Sequence, residues 1–501
     1  MAIPSLTQTP IRFLRRGRIV EYRDHNPMRT VLDYLRLEEK SRGTKEGCNE
    51  GDCGACTVAI GSLRDGSLVY EPANACILLM GHLHGKELVT VDDLADGGSL
   101  HPVQQAMVEM HGSQCGFCTP GFIMSLFTLY QQGRKPSRAE INDHIAGNLC
   151  RCTGYRPIIA AAEKSCSGKP LDRWVLALPD SLEKLGAIAR GGDVFIGNAT
   201  SFTAVPRRAE TLLQLADDHP DATLVAGATD VGLWITKQLR DIRKVIHVGG
   251  VSELHDITLS ANHLSIGAAA TYAEAGEALA AIDPDVGEVV RRIGSTQVRA
   301  SGTIGGNIAN GSPIGDTPPI LIALGATITL RQRDSERVLP LEDFFIAYGK
   351  QDRLPGELVW RIDIPRLKKN DHFRAYKISK RFDQDISAVM AAFRFTLDER
   401  DVSEARIAFG GMAATPKCAS HAEAAAMTIH LDRPETWDEA IAAIAQDFTP
   451  LSDMRASAAY RLDVARALLR KALTEVAAQH SVARNGTRPG TRVVGQRGKA
   501  A

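Results

Sequence analysis

The sequence predicts a multidomain α+β protein, and three observations support this prediction. Short alternating strands flank a cysteine-rich loop within the first 95 residues. Helical periodicity with a second group of cysteines follows from about residue 100. Beyond residue 190, strands alternate with helices and glycine-rich turns. A chain of 501 residues has room for several such domains, at roughly 150 residues each.

Charge and composition argue against two classes of function. Lys+Arg and Asp+Glu both number 59, so the zero net charge does not favour nucleic acid or an anionic membrane as a partner. The sequence contains no run of eighteen apolar residues, so no transmembrane helix is predicted. The first residues lack the basic and then apolar layout of a signal peptide. Ten cysteines without an export signal predict thiolate ligands in a reducing compartment. We therefore expect a cytoplasmic protein.

The first 95 residues have the pattern of a small α+β domain. Ile11 to Tyr22 alternates as two strands broken at Gly17, and Thr30 to Leu35 predicts a short amphipathic helix that leads into the cysteine loop. Further strand candidates follow the loop, and this order resembles the β-grasp of plant-type ferredoxins.

Four cysteines in this domain have the spacing of a plant-type [2Fe–2S] site. Cys48, Cys53 and Cys56 form a C-x4-C-x2-C pattern, and Cys76 follows after nineteen intervening residues. In that pattern four thiolates hold two irons. Glycines between the cysteines allow the backbone to curl around a cluster at little steric cost. A zinc ribbon is the alternative, but it favours two C-x2-C knuckles.

A helical domain is predicted from about residue 100. Its helices begin at Pro102, at Thr119-Pro120, behind the Ser137 capping box, and at Pro157. Four short helices with these starts predict a compact bundle.

The helical domain carries a second set of ligand-spaced cysteines. Cys115 and Cys118 form C-x2-C, and Cys150 and Cys152 form C-x-C after a 31-residue gap. A C-x2-C alone is also typical of redox dithiols, and a structural zinc clamp is a second alternative. The pairing of the two motifs directly behind the first cluster site favours a second [2Fe–2S] cluster.

Two glycine-rich turns that follow predicted strands, one at Gly227 and one at Gly302 to Gly306, raise the question of a dinucleotide cofactor. Neither turn has the G-x-G-x-x-G spacing, so a Rossmann site is not predicted. Such turns can still bind a pyrophosphate through backbone N–H groups. Glycine turns alone are weak support, but two one-electron carriers favour a flavin that converts single electrons into pairs.

Five long motifs show a resemblance that covers residues 10 to 475. The motifs lie at residues 43–56, 114–122, 147–157, 303–316 and 380–386. In these the chain resembles the molybdenum hydroxylase family, and within it the small iron–sulfur/FAD subunit of bacterial two-subunit xanthine dehydrogenases.

The resemblance implies a domain order. The expected domains are a β-grasp plant-type [2Fe–2S] ferredoxin domain at 8–95, a helical [2Fe–2S] domain at 96–167, a linker at 168–190, a non-Rossmann, vanillyl-alcohol-oxidase-like FAD-binding domain at 191–368, a C-terminal α/β flavoprotein domain at 369–480 and a disordered tail at 481–501.

The resemblance also implies which residues contact the flavin and its partner. NAD is expected to approach near Phe382 and Asp383, and Ile293 stands where many relatives carry an aromatic residue against the flavin ring. The remaining expected FAD contacts are Leu224, Val225, Ala226, Gly227, Ala228, Thr229, Asp230, Val231, Thr303, Ile304, Gly305, Gly306, Asn307, Asn310, Asp316, Val359 and Lys377.

The resemblance further implies a division of labour between two chains. Hypoxanthine and xanthine would be hydroxylated to urate on a partner molybdopterin subunit, so no catalytic residue for that step is expected here. Electrons would pass from the Cys115, Cys118, Cys150, Cys152 cluster to the Cys48, Cys53, Cys56, Cys76 cluster, then to FAD and NAD. The family usually assembles as an α2β2 heterotetramer.

Two other functions are compatible with these patterns. The chain could serve another molybdenum hydroxylase, acting on CO, an aldehyde or a different N-heterocycle. A zinc-stabilised scaffold protein is the non-enzymatic alternative, and it predicts zinc and no flavin.

Overall fold

The computed structural model describes residues 8–482. The predicted tail at 481–501 lies outside this range apart from its first two residues. The chain divides into two compact units, of which the first comprises the residues up to Glu253 together with Gly294–Thr303. The second comprises Leu254–Ile293 and the chain from Ile304 onward.

The first unit opens with a five-stranded mixed sheet in the order β2-β1-β5-β3-β4. Its strands are β1 Ile11–Arg15, β2 Arg18–Tyr22, β3 Thr57–Arg64, β4 Ser67–Asn74 and β5 Glu87–Val89. Strands β1 and β5 are parallel, and the other neighbours are antiparallel. The predicted hairpin and β-grasp are confirmed. A short α-helix, Val31–Asp33, capped by Thr30, continues as a π-helical turn, Tyr34–Glu38, directly before the cysteine loop.

The four predicted helices of the second domain are also confirmed. They are Pro102–Glu109, Thr119–Gln131, Arg138–Ile145 and Arg156–Ser165. The third helix begins with a complete capping box in which Ser137 and Glu140 bond reciprocally to each other's backbone N–H. Helix Thr119–Gln131 is buried along most of its length, so it forms the centre of this domain.

The segment predicted as a linker, residues 168–190, contains a helix, so that prediction was wrong. Helix Arg173–Ala189 begins at Asp172, whose side chain accepts hydrogen bonds from two backbone N–H groups of the first turn. Trp174 packs on Phe127 with ring centroids 4.9 Å apart. Pro179 lies inside this helix, and the tertiary contacts of the helix outweigh the backbone hydrogen bond that proline removes.

A second sheet completes the first unit, in the order β6-β7-β9-β8. Its strands are β6 Val194–Gly197, β7 Phe202–Val205, β8 Thr223–Val225 and β9 Lys244–His247, with helices Ala209–Asp218, Val231–Thr236 and Thr296–Ser301. Strand β9 pairs in parallel with both β7 and β8, as expected for strands separated by helices.

The second unit contains an antiparallel sheet in the order β10-β11-β16-β12-β13. Its strands are β10 Ile257–Leu259, β11 His263–Gly267, β12 Thr327–Gln332, β13 Ser335–Pro340 and β16 Leu358–Pro365, and a hairpin pairs β14 Phe345–Ala347 with β15 Lys350–Gln351. The helices of this part are Tyr272–Ala280, Pro284–Arg291, Ile304–Asn310, Thr317–Leu324 and Leu341–Phe344.

The last part of the second unit is a four-stranded sheet covered by helices. The elements are β17 Asp371–Ile378, β18 Val389–Asp398, β19 Asp401–Gly410 and β20 Lys417–Cys418, with helices Ser420–Ala426, Asp438–Asp447 and Ala458–Val482. An α/β domain was predicted here, but all strand pairs are antiparallel, so the arrangement is α+β. Hairpins connect β17 to β18 and β18 to β19, and such connections do not produce parallel strands.

Five short 3-10 helices complete the described structure. They are Met80–Leu83, Val91–Asp93, Val248–Gly250, Ser252–His255 and Pro434–Trp437. Within residues 8–482, no helix combines the length and the apolar character needed to cross a membrane.

Candidate functional site

The loop of the first cysteine group curls through left-handed backbone conformations. Asn49, Gly51 and Gly54 have φ angles of 57°, 77° and 68°. This curl points backbone N–H groups at sulfur: those of Asp52 and Cys53 donate to Cys48 Sγ over 3.4 and 3.3 Å. Such donors stabilise thiolate charge.

Hydrogen bonds connect the four sulfur atoms of this group in a chain. Cys48 is hydrogen-bonded to Cys53, and Cys76 is hydrogen-bonded to both Cys48 and Cys56. Acceptance of the Cys53 hydrogen bond lowers the pKa of Cys48, while donation raises the pKa of Cys53. Cys56 and Cys76 are buried, at 2% and 1% exposure. The inner half of this site is therefore shielded from water.

The second cysteine group forms two separate hydrogen-bonded pairs and lies at the surface. Cys115 is hydrogen-bonded to Cys152, and Cys118 is hydrogen-bonded to Cys150. The two outer cysteines, Cys115 and Cys152, are exposed. Although burial opposes ionisation of Cys150, hydrogen bonds from the Thr153 hydroxyl and backbone N–H lower its pKa.

Both cysteine groups suit a binuclear cluster. In a [2Fe–2S] cluster four thiolates are shared between two irons. Each group brings four cysteine sulfurs together, which is the ligand number that such a cluster needs.

Hydrogen bonds tie the two cysteine loops directly to each other. The backbone N–H of Leu149 donates to the carbonyl of Cys53 over 3.0 Å. The Asn148 side-chain amide donates to the carbonyl of Gly54 over 3.0 Å and reaches Thr57 Oγ1 at 3.2 Å. Because these residues lie within two positions of ligand cysteines, the two sites form one hydrogen-bonded structure within the first unit.

Some of the expected FAD contacts lie in the first unit, and the others lie in the second. In the first unit, residues 224–231 run from the end of β8 into helix Val231–Thr236. A Cβ on Gly227 would lie 1.7 Å from the carbonyl oxygen of Ser301, and Ala228 has a φ of 58°. His82 Nε2 lies 2.6 Å from the carbonyl oxygen of Ala226. Thr303, also in this unit, is buried.

In the second unit, the glycine-rich motif forms the start of helix Ile304–Asn310. We expected a turn after a strand, but the preceding element along the chain is the helix that ends at Ser301. A Cβ on Gly305 would lie 2.4 Å from the Ala268 Cβ, so this close approach requires glycine. Asn307 Oδ1 is buried and has no hydrogen-bond partner among residues 8–482. An acceptor in this state suits a cofactor that brings a donor.

Other expected FAD contacts of the second unit form a buried charged group. The ammonium of Lys377 donates to Asp316 Oδ2 over 2.5 Å, and the Ser387 hydroxyl donates to Asp316 Oδ1. Val359 is buried on β16, whereas Asn310 is exposed and Ile293 is half-buried. The structure thus joins Asp316 and Lys377, which are 61 residues apart.

Sequence reasoning missed two residues in this region. Ser387 is the second donor to Asp316. Arg292 lies with its guanidinium carbon 4.4 Å from the centre of the Phe382 ring and donates to the Phe382 carbonyl over 3.0 Å. Only its position beside Ile293 could have drawn attention to Arg292, because no motif contains it.

Four family models match consecutive parts of the chain. They describe a 2Fe-2S iron-sulfur cluster binding domain at residues 15–80, a [2Fe-2S] binding domain at 90–163, an FAD binding domain in molybdopterin dehydrogenase at 199–367 and a CO dehydrogenase flavoprotein C-terminal domain at 374–476. The chain belongs to the molybdenum hydroxylase family. Its domains are those of the family's iron–sulfur/FAD part, and its cofactors are two [2Fe–2S] clusters and FAD.

Named members of the family are similar over most of this chain. It is 32% identical to a xanthine dehydrogenase of Emericella nidulans over 87% of its length, and 32% identical to a xanthine dehydrogenase/oxidase of Rattus norvegicus over 81%. The matches span 36% and 34% of those proteins, so the chain corresponds to about a third of each.

Solved structures of the family match part of the chain. A chain of CO dehydrogenase from Oligotropha carboxidovorans is 26% identical with a TM-score of 0.52, covering 56% of this chain and 99% of that one. A chain of quinoline 2-oxidoreductase from Pseudomonas putida 86 is 26% identical with a TM-score of 0.51, over 56% and 98%.

Proposed function

We propose that this chain is the electron-transfer part of a xanthine dehydrogenase that oxidises hypoxanthine and xanthine to urate on a molybdopterin subunit, with NAD as acceptor. The observation that supports it is the presence of both cysteine groups and both flavin domains in one chain that is 32% identical to a xanthine dehydrogenase over 87% of its length. When bound, the clusters carry single electrons and FAD converts them into pairs.

The helical domain offers the face for the molybdopterin subunit. Cys115 and Cys152 are exposed, and the side chains beside them, Phe117 and Leu149, are 49% and 41% exposed. Exposed apolar side chains around a redox site are typical of docking surfaces. We propose that the partner subunit covers this face, in an assembly of two copies of each chain.

We propose that the ferredoxin loop holds the inner position. Its buried cysteines and its hydrogen bonds to the helical domain support a position behind the exposed site, away from water. We propose that the two domains meet near residue 95 and that the helical domain ends near residue 167. Cys48, Cys53, Cys56 and Cys76 would hold one cluster, and Cys115, Cys118, Cys150 and Cys152 the other.

The predicted flavin residues would bind FAD in the manner the family implies. Asn307 would use its unpartnered Oδ1, and the glycines at 227 and 305 permit the close packing against Ser301 and Ala268 that shapes the two loops. Asp316 would keep the Lys377 ammonium in place through a buried ion pair. We place the NAD approach at Phe382 and Asp383, which are partly exposed.

A second candidate function is supported by the solved structures. CO dehydrogenase and quinoline 2-oxidoreductase chains match the chain at 26% identity over 56% of its length. Xanthine is favoured because the xanthine dehydrogenases match at higher identity and over more of the chain. For the compartment we propose the cytoplasm, since all ten cysteines lie within the described residues and none forms a disulfide.

The first experiment measures the cofactors and the acceptor of the purified full chain. We expect about four irons and one FAD per chain, no zinc, and two distinct [2Fe–2S] signals in the EPR spectrum after dithionite reduction. NADH added without oxygen should bleach the flavin and reduce the clusters. Clusters that reduce with dithionite but not with NADH would contradict NAD as the acceptor.

The substrate is tested in the complex with the molybdopterin subunit. Xanthine, an aldehyde, quinoline and CO are each added, and reduction of FAD is followed. We expect xanthine to reduce FAD, and a Cys152→Ser variant to block this while leaving reduction by NADH intact. If only CO or only quinoline reduces FAD, the result would contradict xanthine as the substrate and support the second candidate function.

A further inference from the structure

One buried glutamine contacts both cysteine-bearing domains of the first unit. Gln297 lies on helix Thr296–Ser301 and is 1% exposed. Its Nε2 lies 3.1 Å from Thr57 Oγ1, 3.3 Å from Ser125 Oγ and 3.0 Å from Asn148 Oδ1. Thr57 belongs to the ferredoxin domain, whereas Ser125 and Asn148 belong to the helical domain.

The hydrogen-bond directions around Gln297 require a donor at its position. The Thr57 hydroxyl already donates to the Gly54 carbonyl over 2.6 Å, and the Ser125 hydroxyl donates to Asn148 Oδ1 over 2.7 Å. All three atoms that face Gln297 are therefore acceptors, so the NH2 group must point toward them. A methionine or leucine of similar size would leave the acceptors without this donor.

The acceptors lie next to cluster ligands in both loops. Thr57 directly follows Cys56, and Asn148 precedes Cys150 by two residues. Asn148 itself donates to the Gly54 carbonyl, which lies between two ligands of the other loop. The two amide side chains, Gln297 and Asn148, therefore form one buried link between the two cysteine loops.

The surroundings of the amide oxygen indicate that the glutamine is present for its NH2 group. Gln297 Oε1 is buried and has no hydrogen-bond partner in the described part of the chain, and a buried acceptor in that state is destabilising. The neighbouring backbone also makes room for it, because a Cβ on Gly147 would lie 2.1 Å from Oε1. An apolar residue would avoid the lost hydrogen bond, so packing alone does not account for glutamine here.

We propose that Gln297 is a positioning residue that fixes the separation of the two iron–sulfur clusters by holding Thr57 and Asn148 together. The inference rests on the proposed electron-transfer function. Gln297 contacts no ligand sulfur and acts through the residues beside the ligands. Because electron tunnelling slows steeply with distance, a looser link slows exchange between the clusters.

The test compares Gln297→Met with Gln131→Met in the full cofactor-loaded chain. Gln131 is a matched control, since its Nε2 donates to Asp172 at the start of helix Arg173–Ala189, away from both cysteine loops. In Gln297→Met we expect electron exchange between the clusters to fall about tenfold, as for other residues that orient metal ligands. Hydrogen exchange in peptides that contain Leu149, whose N–H bonds to Cys53, should quicken in this variant alone.

Gly147→Ala provides a second, independent variant. Its added Cβ would lie 2.1 Å from Gln297 Oε1 and 2.4 Å from the Ser295 Cβ, so it displaces the helix start that carries Gln297 while every hydrogen-bonding group remains. It should therefore slow the exchange between clusters in the same way. It also covers the case in which Gln297→Met does not fold. Exchange rates and Leu149 protection equal to those of Gln131→Met in either folded variant would overturn the inference.

The proposed function is judged separately, on the unaltered chain. If that chain holds both clusters and FAD and is reduced by NADH, the proposed function stands whatever the variants show. A wild-type chain that lacks either cluster would overturn the proposed function and the inference together.

Discussion

The two cysteine groups each bring four cysteines together, yet they differ in their surroundings. The ferredoxin loop buries two of its cysteines, Cys56 and Cys76, in the core of the β-grasp domain. The helical loop leaves Cys115 and Cys152 exposed at the surface. Glycines differ as well: Gly54 is enclosed by the other loop, while Gly116 faces open space.

The difference shows that one kind of site can serve two structural purposes. A cluster held by buried cysteines contributes to the core of its domain, because ligand binding and folding are then one process. A cluster held by exposed cysteines instead remains within reach of a partner. The same chemistry is therefore structural and internal in one domain, and accessible in the other.

The largest expected effect comes from removing one ligand on each side. Cys76→Ser and Cys152→Ser should each lose about two irons per chain, because each breaks one cluster. Only Cys76→Ser should also unfold the β-grasp domain, since the Cys76 side chain belongs to that domain's core. Iron content and domain-resolved hydrogen exchange measure the two effects. If both variants lose the same amount of hydrogen-exchange protection in the domain that carries the substitution, the division into an internal and an accessible site would be wrong.

A smaller effect is expected from adding a methyl group to one glycine in each loop. Gly54 has a φ of 68°, and a Cβ there would lie 2.2 Å from the Gly147 carbonyl oxygen. We expect Gly54→Ala to lower the free energy of unfolding by about 3 kcal/mol. Gly116 has a φ of 84° with nothing within 4 Å, so Gly116→Ala should cost only about 1 kcal/mol. Urea unfolding of both variants checks this, and similar costs would show that Gly54 is not enclosed.

The smallest effect is a difference in the pH dependence of the two domains. Burial raises the pKa of Glu87, in the ferredoxin domain, from 4.5 to about 7. Its carboxyl is protonated more readily in the folded state, so its contribution to stability is lost as the pH rises from 4.5 through 7. Burial lowers the pKa of His144, in the helical domain, from 6.5 to about 4. Its contribution is present above pH 6.5 and is lost as the pH falls toward 4.

Single variants separate the two pH effects. Glu87→Gln should remove the loss of ferredoxin-domain stability toward high pH, because its amide does not ionise. His144→Gln should remove the loss in the helical domain toward low pH. Hydrogen exchange of each domain between pH 5 and pH 8 is the measurement. A Glu87→Gln variant with unchanged pH dependence would show that this carboxyl is not what titrates.

The sequence by itself determined the chemistry of the chain. The spacing of Cys48, Cys53 and Cys56 is a local pattern, so it predicts a cluster site without knowledge of the tertiary structure. Helix starts such as the Ser137 capping box are equally local. The β-grasp hairpin and the four helices followed from periodicity in the same way. The helix Arg173–Ala189 was missed for the converse reason, because Trp174 and other distant contacts that no local pattern contains stabilise it.

Only the tertiary structure decided how the sites are arranged. The exposure of Cys152, the burial of Cys76 and the antiparallel pairing of the last sheet depend on chain segments that meet across long sequence separations. Gln297 lies 240 residues from Thr57 and 149 from Asn148, yet one amide group bonds to both. Hydrogen bonds and packing act over a few ångströms, so they depend on which residues are neighbours in the folded chain. Local sequence patterns do not reveal which distant residues become neighbours.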